Sequence, residues 1–446
     1  MTGFTLHELI DACCGKPLFE AQNTEIKNVT IDSRKAKDSV FVCIKGERLD
    51  GHDFIENALE NGAAAVISEK EAEGRIILVK DTLTAFQKIA EAYAKKFDIP
   101  KIGVTGSVGK TTTKELLASV LKEKYVTFKN EANLNSQTGV PMTLLRLDKS
   151  YEAAVIEMGM SRFNEMDRLA RTVRPTMAVY TNIGESHIEF LGSKEGIFKA
   201  KTEMLKYLGE DAPIIINGDD PILIKLKDMR KNVILCGFGS ECDVKAENVE
   251  EKGFEGSEFD IVYNRERTKA FIPAPGKHMI LNALIAFAVG KTLGLTNEEA
   301  SRGISSYIPA DGRMKIINTG KLTLLSDAYN ANPTSMKASI DIALSKQGRK
   351  VLILGDMYEL GKNSEEYHRS VGAHTKGADL VIAVGTLGKD IFRAANNNGT
   401  DAVWFETRDD LHKALPELLK NGDTVLVKAS HGLRLDITAE FIEKLQ

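Results

Sequence analysis

Residues 105–113 read Thr-Gly-Ser-Val-Gly-Lys-Thr-Thr-Thr, between an apolar lead-in, Lys101-Ile102-Gly103-Val104, and a follow-on with helical periodicity, Lys114-Glu115-Leu116-Leu117. Strand, turn and helix in that order form a loop for a triphosphate. Gly106 and Gly109 let the backbone turn tightly and aim N–H groups at phosphate oxygens. The helix N-terminus adds partial positive charge at the same place. Lys110 reaches the outer phosphates, and the Thr111 hydroxyl suits magnesium. The common pattern has Gly or Ala five residues before the Gly-Lys pair, where this chain has Val104, so the loop is a shortened variant. By residue type alone it also reads as a Gly/Thr-rich turn opening an ordinary helix.

At 446 residues the chain is long enough for about three domains, each with its own core. Hydrophobic residues make up 43% and charged residues 27%, with a net charge of -4. No long basic run appears, so nucleic acid is not a favoured partner. No apolar stretch approaches the roughly 20 residues of a membrane span. Met1–Glu8 lacks the charged and apolar regions of a signal peptide. The cysteines, at 13, 14, 43, 236 and 242, are odd in number and lack metal-site spacing. That usage fits a reducing, cytoplasmic setting, with all five as structural fillers.

The patterning predicts an α/β fold in three domains. In residues 1–98, short strands read at 29–31, 40–44, 64–67 and 76–79, with a helix over 82–96. Residues 99–311 alternate apolar strands, at 102–105, 153–158, 177–181, 214–217 and 233–236, with helices, the pattern of a parallel sheet covered on both faces. Residues 241–272 read as an antiparallel appendage, and a long helix follows over 278–293. Residues 312–446 alternate again, with strands at 322–326, 351–354, 380–384, 402–405 and 425–427, predicting a Rossmann-like doubly wound sheet. Two such domains beside one triphosphate loop predict a ligand held in a cleft between domains.

Glu157 closes the apolar run Ala153–Glu157, where a carboxylate must be solvated, paired or metal-bound. His187 follows the next strand, in Thr181-Asn182-Ile183-Gly184-Glu185-Ser186-His187. In a doubly wound sheet the carboxyl ends of the strands share one edge. Thr111, Glu157 and His187 are therefore expected at one point, where hard oxygens and a neutral imidazole suit magnesium bridging ATP phosphates. Taken singly, His187 also reads as a satisfied loop histidine and Glu157 as a structural acid. The 193–208 stretch reads as a helix capped by Ser193. Lysines on such a helix are usually solvated stems, so residue type singles out neither Lys199 nor Lys201.

These residues resemble the Mur ligases, ATP-dependent enzymes that extend the peptide of cell-wall precursors, over essentially the whole chain. Thr105–Thr113 has that family's shortened phosphate loop. Four further stretches carry the resemblance: Ile31-Asp32-Ser33-Arg34 with Lys45–Phe54; Asn182–His187; Asp327-Ala328-Tyr329-Asn330-Ala331-Asn332-Pro333; and Leu354-Gly355-Asp356-Met357-Tyr358-Glu359-Leu360-Gly361. The last two are specific to the member that adds D-alanyl-D-alanine to UDP-MurNAc-tripeptide. They argue against the member that adds the third residue and against folylpolyglutamate-type ligases.

The resemblance implies roles. Thr105, Gly106, Ser107, Val108, Gly109, Lys110, Thr111 and Thr112 would hold ATP, with Asn282 at adenine and Arg313, Asp327 and Asn330 closing from the C-terminal domain. Glu157, His187 and Thr111 would hold magnesium, two ions in all, and Lys201 would carry a carbamate that binds the second. Lys110, Glu157, His187 and Lys201 form the implied catalytic set. Ser33, Arg34, Lys45, Gly46 and His52 would meet the UDP-precursor, and Tyr329 and Asn332 the substrates at the C-terminal domain. A cytoplasmic monomer is the family expectation. Two departures stand out: Asn164 precedes Glu165 where the family commonly has glycine, and His431 stands where arginine is common. Read without the resemblance, Asn330–Pro333 is also a turn and helix cap, and Asp356 and Glu359 a solvated loop.

Overall fold

The structure, a computed structural model, describes residues 1–309 and 313–445. The expected domain boundary between 311 and 312 lies outside them. The chain packs as two compact units. One holds Met1–Thr105, Lys124–Val179 and Ala200–Ile214; the other holds Gly106–Glu123, Tyr180–Lys199 and the chain from Ile215 onward.

The first unit opens with a helix, Leu6–Cys13, closed by a capping box in which Thr5 and Glu8 exchange bonds with each other's backbone. Sequence reading missed this helix, although Thr-x-x-Glu is its signature. A small sheet follows in the order Lys16–Pro17, Ile76–Leu78, Ala65–Ser68, Ser39–Val42, Asn28–Thr30. It is parallel except at Lys16–Pro17. Phe41, Val66 and Ile76 pack one face against Ala58. Helix Thr82–Ala94 starts where the Asp81 carboxylate accepts from Thr84 N–H. The same unit places strand residues 177–179, Lys101–Thr105, Ala153–Glu157 and Thr127–Lys129 side by side. Every residue of Lys101–Thr105 and Ala153–Glu157 is buried, as a parallel strand covered on both faces requires.

The second unit carries strands Ile214–Asn217, Val233–Gly237 and an antiparallel run, Val244–Glu251, Ser257–Tyr263 and Glu266–Ile272. The appendage expected over 241–272 is this run. Helix Lys277–Thr292 follows and is buried along most of its length. The C-terminal sheet runs Lys315–Asn318, Thr323–Ser326, Thr424–Lys428, Lys350–Gly355, Leu380–Val384, Ala402–Phe405. Only Lys315–Asn318 is antiparallel. Along Lys350–Gly355, Val351 and Ile353 enter one core and Leu352 and Leu354 the other, so both faces are covered. The expected helix over 193–208 is α-helical only over Lys194–Lys201 and tightens to a 3₁₀ turn over Thr202–Tyr207. Of the cysteines, all free, four are buried, whereas Cys14 is exposed at a left-handed helix end, which corrects its reading as a filler.

Candidate active site

From Gly106 onward the phosphate loop lies in the second unit. Gly109 adopts φ 82° and starts helix Lys110–Leu121, which has no side-chain cap. A Cβ on Gly106 would lie 1.9 Å from Thr181 Oγ1, so only glycine fits there. Asn182 braces the turn: its carbonyl accepts from Ser107 N–H at 3.0 Å and its side-chain oxygen from Val108 N–H at 2.9 Å. Thr181 Oγ1 donates to the Val108 carbonyl. Two loop amides expected to face phosphate are thus bound to Asn182. Lys110 Nζ folds back onto the carbonyls of Gly106 (2.8 Å) and Ser107 (3.4 Å).

A cavity opens beside this turn, lined by Val108, Gly109 and Thr112 together with Asn282, Arg313 and Asp327. Asn282 is buried, and its side-chain oxygen accepts from Thr113 Oγ1 at 3.2 Å. The Arg313 guanidinium sits 4.1 Å from the centre of the Tyr329 ring, a cation–π contact. Tyr329 also meets the exposed His431 edge-on, ring centres 6.0 Å apart. Asp327 accepts from Lys428 Nζ at 2.5 Å and Ser339 Oγ at 2.8 Å. Lys428 was not singled out from sequence. It ends an apolar strand, is 2% exposed, and burial pushes its proton affinity down against the pull of Asp327. Breaking such a buried pair by removing one partner costs about 3–5 kcal/mol.

Asn332 caps helix Pro333–Leu344, accepting from Ser335 N–H at 2.8 Å. The turn-and-cap reading therefore holds, and more is added. Its Nδ2 donates to Ser186 Oγ at 3.0 Å, and Ser186 Oγ donates to the Ser107 carbonyl at 3.2 Å. A chain of bonds thus links the 327–333 segment to the phosphate loop.

His187 has φ 63° and leads helix Ile188–Leu191. Its Nδ1 lies 2.5 Å from Glu359 Oε2. The stretch Leu354–Gly361 is built to present that acid. Asp356 is buried rather than solvated, and accepts from Gly388 N–H at 2.7 Å. Burial raises its pKa, against the backbone donors of Gly388, Leu387 and Thr386. His368 Nε2 accepts from Met357 N–H, and Ser430 Oγ from Tyr358 N–H. Glu359 then turns out at φ 62°.

In the first unit Glu157 is 1% exposed and accepts from Asn135 Nδ2 at 2.6 Å. Asn130 clamps the strand end by bonding both the N–H and the carbonyl of Glu157. Thr105 Oγ1 donates to the Met158 carbonyl, inside the fold. Burial separates the two lysines that residue type could not: Lys199 is exposed and Lys201 is 1% exposed. Asn164 has φ 65°, a left-handed conformation that asparagine tolerates, which explains how it replaces glycine before Glu165.

Toward the N-terminus, Ser33 is buried and Arg34 forms a bidentate, exposed pair with Asp32. The backbones of Lys45 and Asp50 pair as an isolated antiparallel β-bridge, and Gly46 N–H donates to the Leu49 carbonyl. His52 is buried with both ring nitrogens engaged. Nδ1 lies 2.6 Å from Asp50, and Nε2 accepts from Glu69 N–H at 3.0 Å. It braces the 45–50 loop through these two bonds.

Three family descriptions match this chain: "Mur ligase family, catalytic domain" over residues 25–109, "Mur ligase middle domain" over 104–290, and "Mur ligase, glutamate ligase domain" over 312–431. The chain belongs to the Mur ligase family. Within it, a similar relative is the UDP-N-acetylmuramoyl-tripeptide–D-alanyl-D-alanine ligase of Bacillus subtilis, 40% identical over 98% of this chain and 97% of that one. A crystal structure of MurF from Acinetobacter baumannii matches with a TM-score of 0.93 and 29% identity, covering 99% of both chains. That of MurF ligase from Thermotoga maritima in complex with ADP matches at 0.86 and 30%, covering 94% of this chain and 97% of that one.

Proposed function

We propose that this chain is an ATP-dependent ligase that joins D-alanyl-D-alanine to the terminal carboxylate of UDP-MurNAc-tripeptide. That would be the last cytoplasmic step toward the UDP-MurNAc-pentapeptide precursor of peptidoglycan, and the chain would work as a monomer. The observation that carries this reading is the 40% identity, over almost the full length, to the Bacillus subtilis enzyme of that name. The Asn282–Arg313–Asp327 cavity beside the phosphate loop supports the ATP part.

A carboxylate is a poor electrophile, because direct amide formation would expel oxide. Transfer of the ATP γ-phosphoryl group to it gives an acyl phosphate. The dipeptide amine attacks the acyl carbon, and phosphate leaves as the amide forms. Lys110, released from the Gly106 and Ser107 carbonyls, would swing to the outer phosphates and offset their charge. Thr105–Thr112 would hold the phosphates, Asn282 the base, and Arg313, Asp327 and Asn330 would close on the nucleotide. Tyr329 and Asn332 would border the substrates, and Ser33, Arg34, Lys45 and Gly46 would meet the UDP end. Residues 1–98 would thus bind precursor, 99–311 ATP, and 312–446 the incoming dipeptide.

In this reading magnesium would be held by residue types that suit it. Thr111 offers a hydroxyl, Glu157 a carboxylate and His187 an imidazole. Among the described residues no three acidic, histidine or cysteine side chains form a cage of their own, and an ion held largely by phosphate oxygens needs none. Lys201 is buried, a setting where carbon dioxide can convert a costly cation into an anionic ligand. When bound, two magnesium ions would neutralise the repulsion between phosphates and carboxylate.

Purified chain given ATP, magnesium, a tripeptide precursor and D-alanyl-D-alanine should release ADP and yield a product of pentapeptide mass. Precursors ending in lysine and in diaminopimelate would reveal which one it takes. ADP release without the dipeptide, and no product with it, would sink the reading in favour of a nucleotide-hydrolysing regulator.

A further inference from the structure

Lys428 occupies an improbable place for a cation. It closes the strand Thr424–Lys428 among Val425, Leu426 and Val427, and is 2% exposed. A hydrophobic residue of similar length would fill that space without the cost of burying charge, and replacing buried ion pairs in this way is often neutral or stabilising. What the lysine adds is direction. Its Nζ meets Asp327 Oδ2 at 2.5 Å, the Asn330 carbonyl at 3.1 Å and the Asp327 carbonyl at 3.4 Å. Three acceptors use the three donors of one ammonium. The two carbonyls flank Tyr329, so the backbone on either side of that ring is tied to one point. The Asp327 carboxylate passes the tie onward, since its Oδ1 accepts from Met314 N–H at 3.2 Å. Met314 follows Arg313, whose guanidinium rests on the Tyr329 ring. Arg313, Asp327 and Lys428 line the same cavity as Gly109 and Asn282.

We propose that Lys428 is a positioning residue for the nucleotide: it holds the backbone beneath Tyr329 and, through Asp327, the backbone beside Arg313, so that the Arg313 guanidinium is presented to the bound anion. The inference rests on the ATP reading above. Lys428 itself need touch no substrate.

The test uses the full chain and ADP as probe. ADP affinity is measured by calorimetry without peptide substrates, and KM is measured for ATP and for D-alanyl-D-alanine. Lys428→Met is expected to weaken ADP and raise KM for ATP by about tenfold, while KM for the dipeptide stays within about twofold. In an Arg313→Ala background, Lys428→Met is expected to add no further nucleotide defect, because the two residues act in series. A purely structural lysine would weaken both backgrounds alike. Should the methionine variant fail to fold, Lys428→Arg keeps a charge against Asp327 with a different donor fan. It is expected to weaken ADP several-fold, and only where Arg313 is present. Wild-type ADP affinity in the Lys428 variants, or equal defects with and without Arg313, would overturn the proposal. A wild-type chain that binds no ADP would instead sink the ATP reading.

Discussion

Nδ1 of His187 and Oε2 of Glu359 lie 2.5 Å apart, joining the segment that follows Thr181 to the segment that follows Gly355. In the neutral ring, Nδ1 carries the proton and donates to the acid, which leaves the Nε2 lone pair for a ligand. The bond also holds the Glu359 carboxyl below its ordinary pKa. If His187 holds magnesium as proposed above, Glu359 is an outer partner of the kind that typically contributes tenfold or more in metal affinity or activity.

Glu359→Ala is therefore expected to lower kcat/KM by about tenfold. Because the pair is partly exposed, its share of stability is about 0–1 kcal/mol, and the melting temperature should barely move. Glu359→Gln, which keeps an acceptor, should recover part of the activity. Steady-state rates and thermal melts on the three proteins check this.

Lys110 Nζ donates to two carbonyls of its own loop. Lys110→Ala should fold normally and lose about a thousandfold in turnover. An active Lys110→Ala protein would contradict its assignment to the phosphates.

Gly106→Ala drives a methyl group into Thr181 Oγ1. Overpacking of this sort costs about 1–3 kcal/mol, and the displaced turn should bind nucleotide poorly. Thr181→Ala in the same chain should return part of the stability but not all of the affinity, because the Thr181 bond to Val108 is then lost. Urea melts and ADP titration separate the two effects.

Asn332 does two jobs that substitution can separate. Asn332→Asp keeps the cap acceptor for Ser335 but removes the donor to Ser186. Its stability should stay near wild type while KM for ATP rises several-fold. Asn332→Ala should lose both, with about 1 kcal/mol of stability from the cap alone.

Asp50 is held down to about 2, from an ordinary value of 3.8, first by the His52 backbone N–H and then by the His52 ring. A carboxylate depressed on folding stabilises above its unfolded value, and that stability is lost as pH falls through the folded one. Melting temperatures of wild type and Asp50→Asn should therefore differ above about pH 4 and converge toward pH 2.

The phosphate loop and the alternating strands were legible because they rest on local order: glycine spacing, apolar runs and turn residues within a few positions. Helix Leu6–Cys13 was legible too, through Thr5 and Glu8. The edge strand Lys315–Asn318 was not, because only two of its four residues are apolar. Lys428, Asp356 and His52 were legible only as residue types. What makes each of them matter is a partner 101, 32 or 17 positions away, and no periodicity records such a distance. Lys201 and Lys199 look alike on paper and differ only in which side of the helix the core covers.

Asn182 occupies the amides of Ser107 and Val108, and Thr181 ties the same turn from below. In the proposed ATP reading, a triphosphate would meet a turn already braced by these bonds rather than a loose coil. Little ordering entropy would be left for the turn to lose on contact.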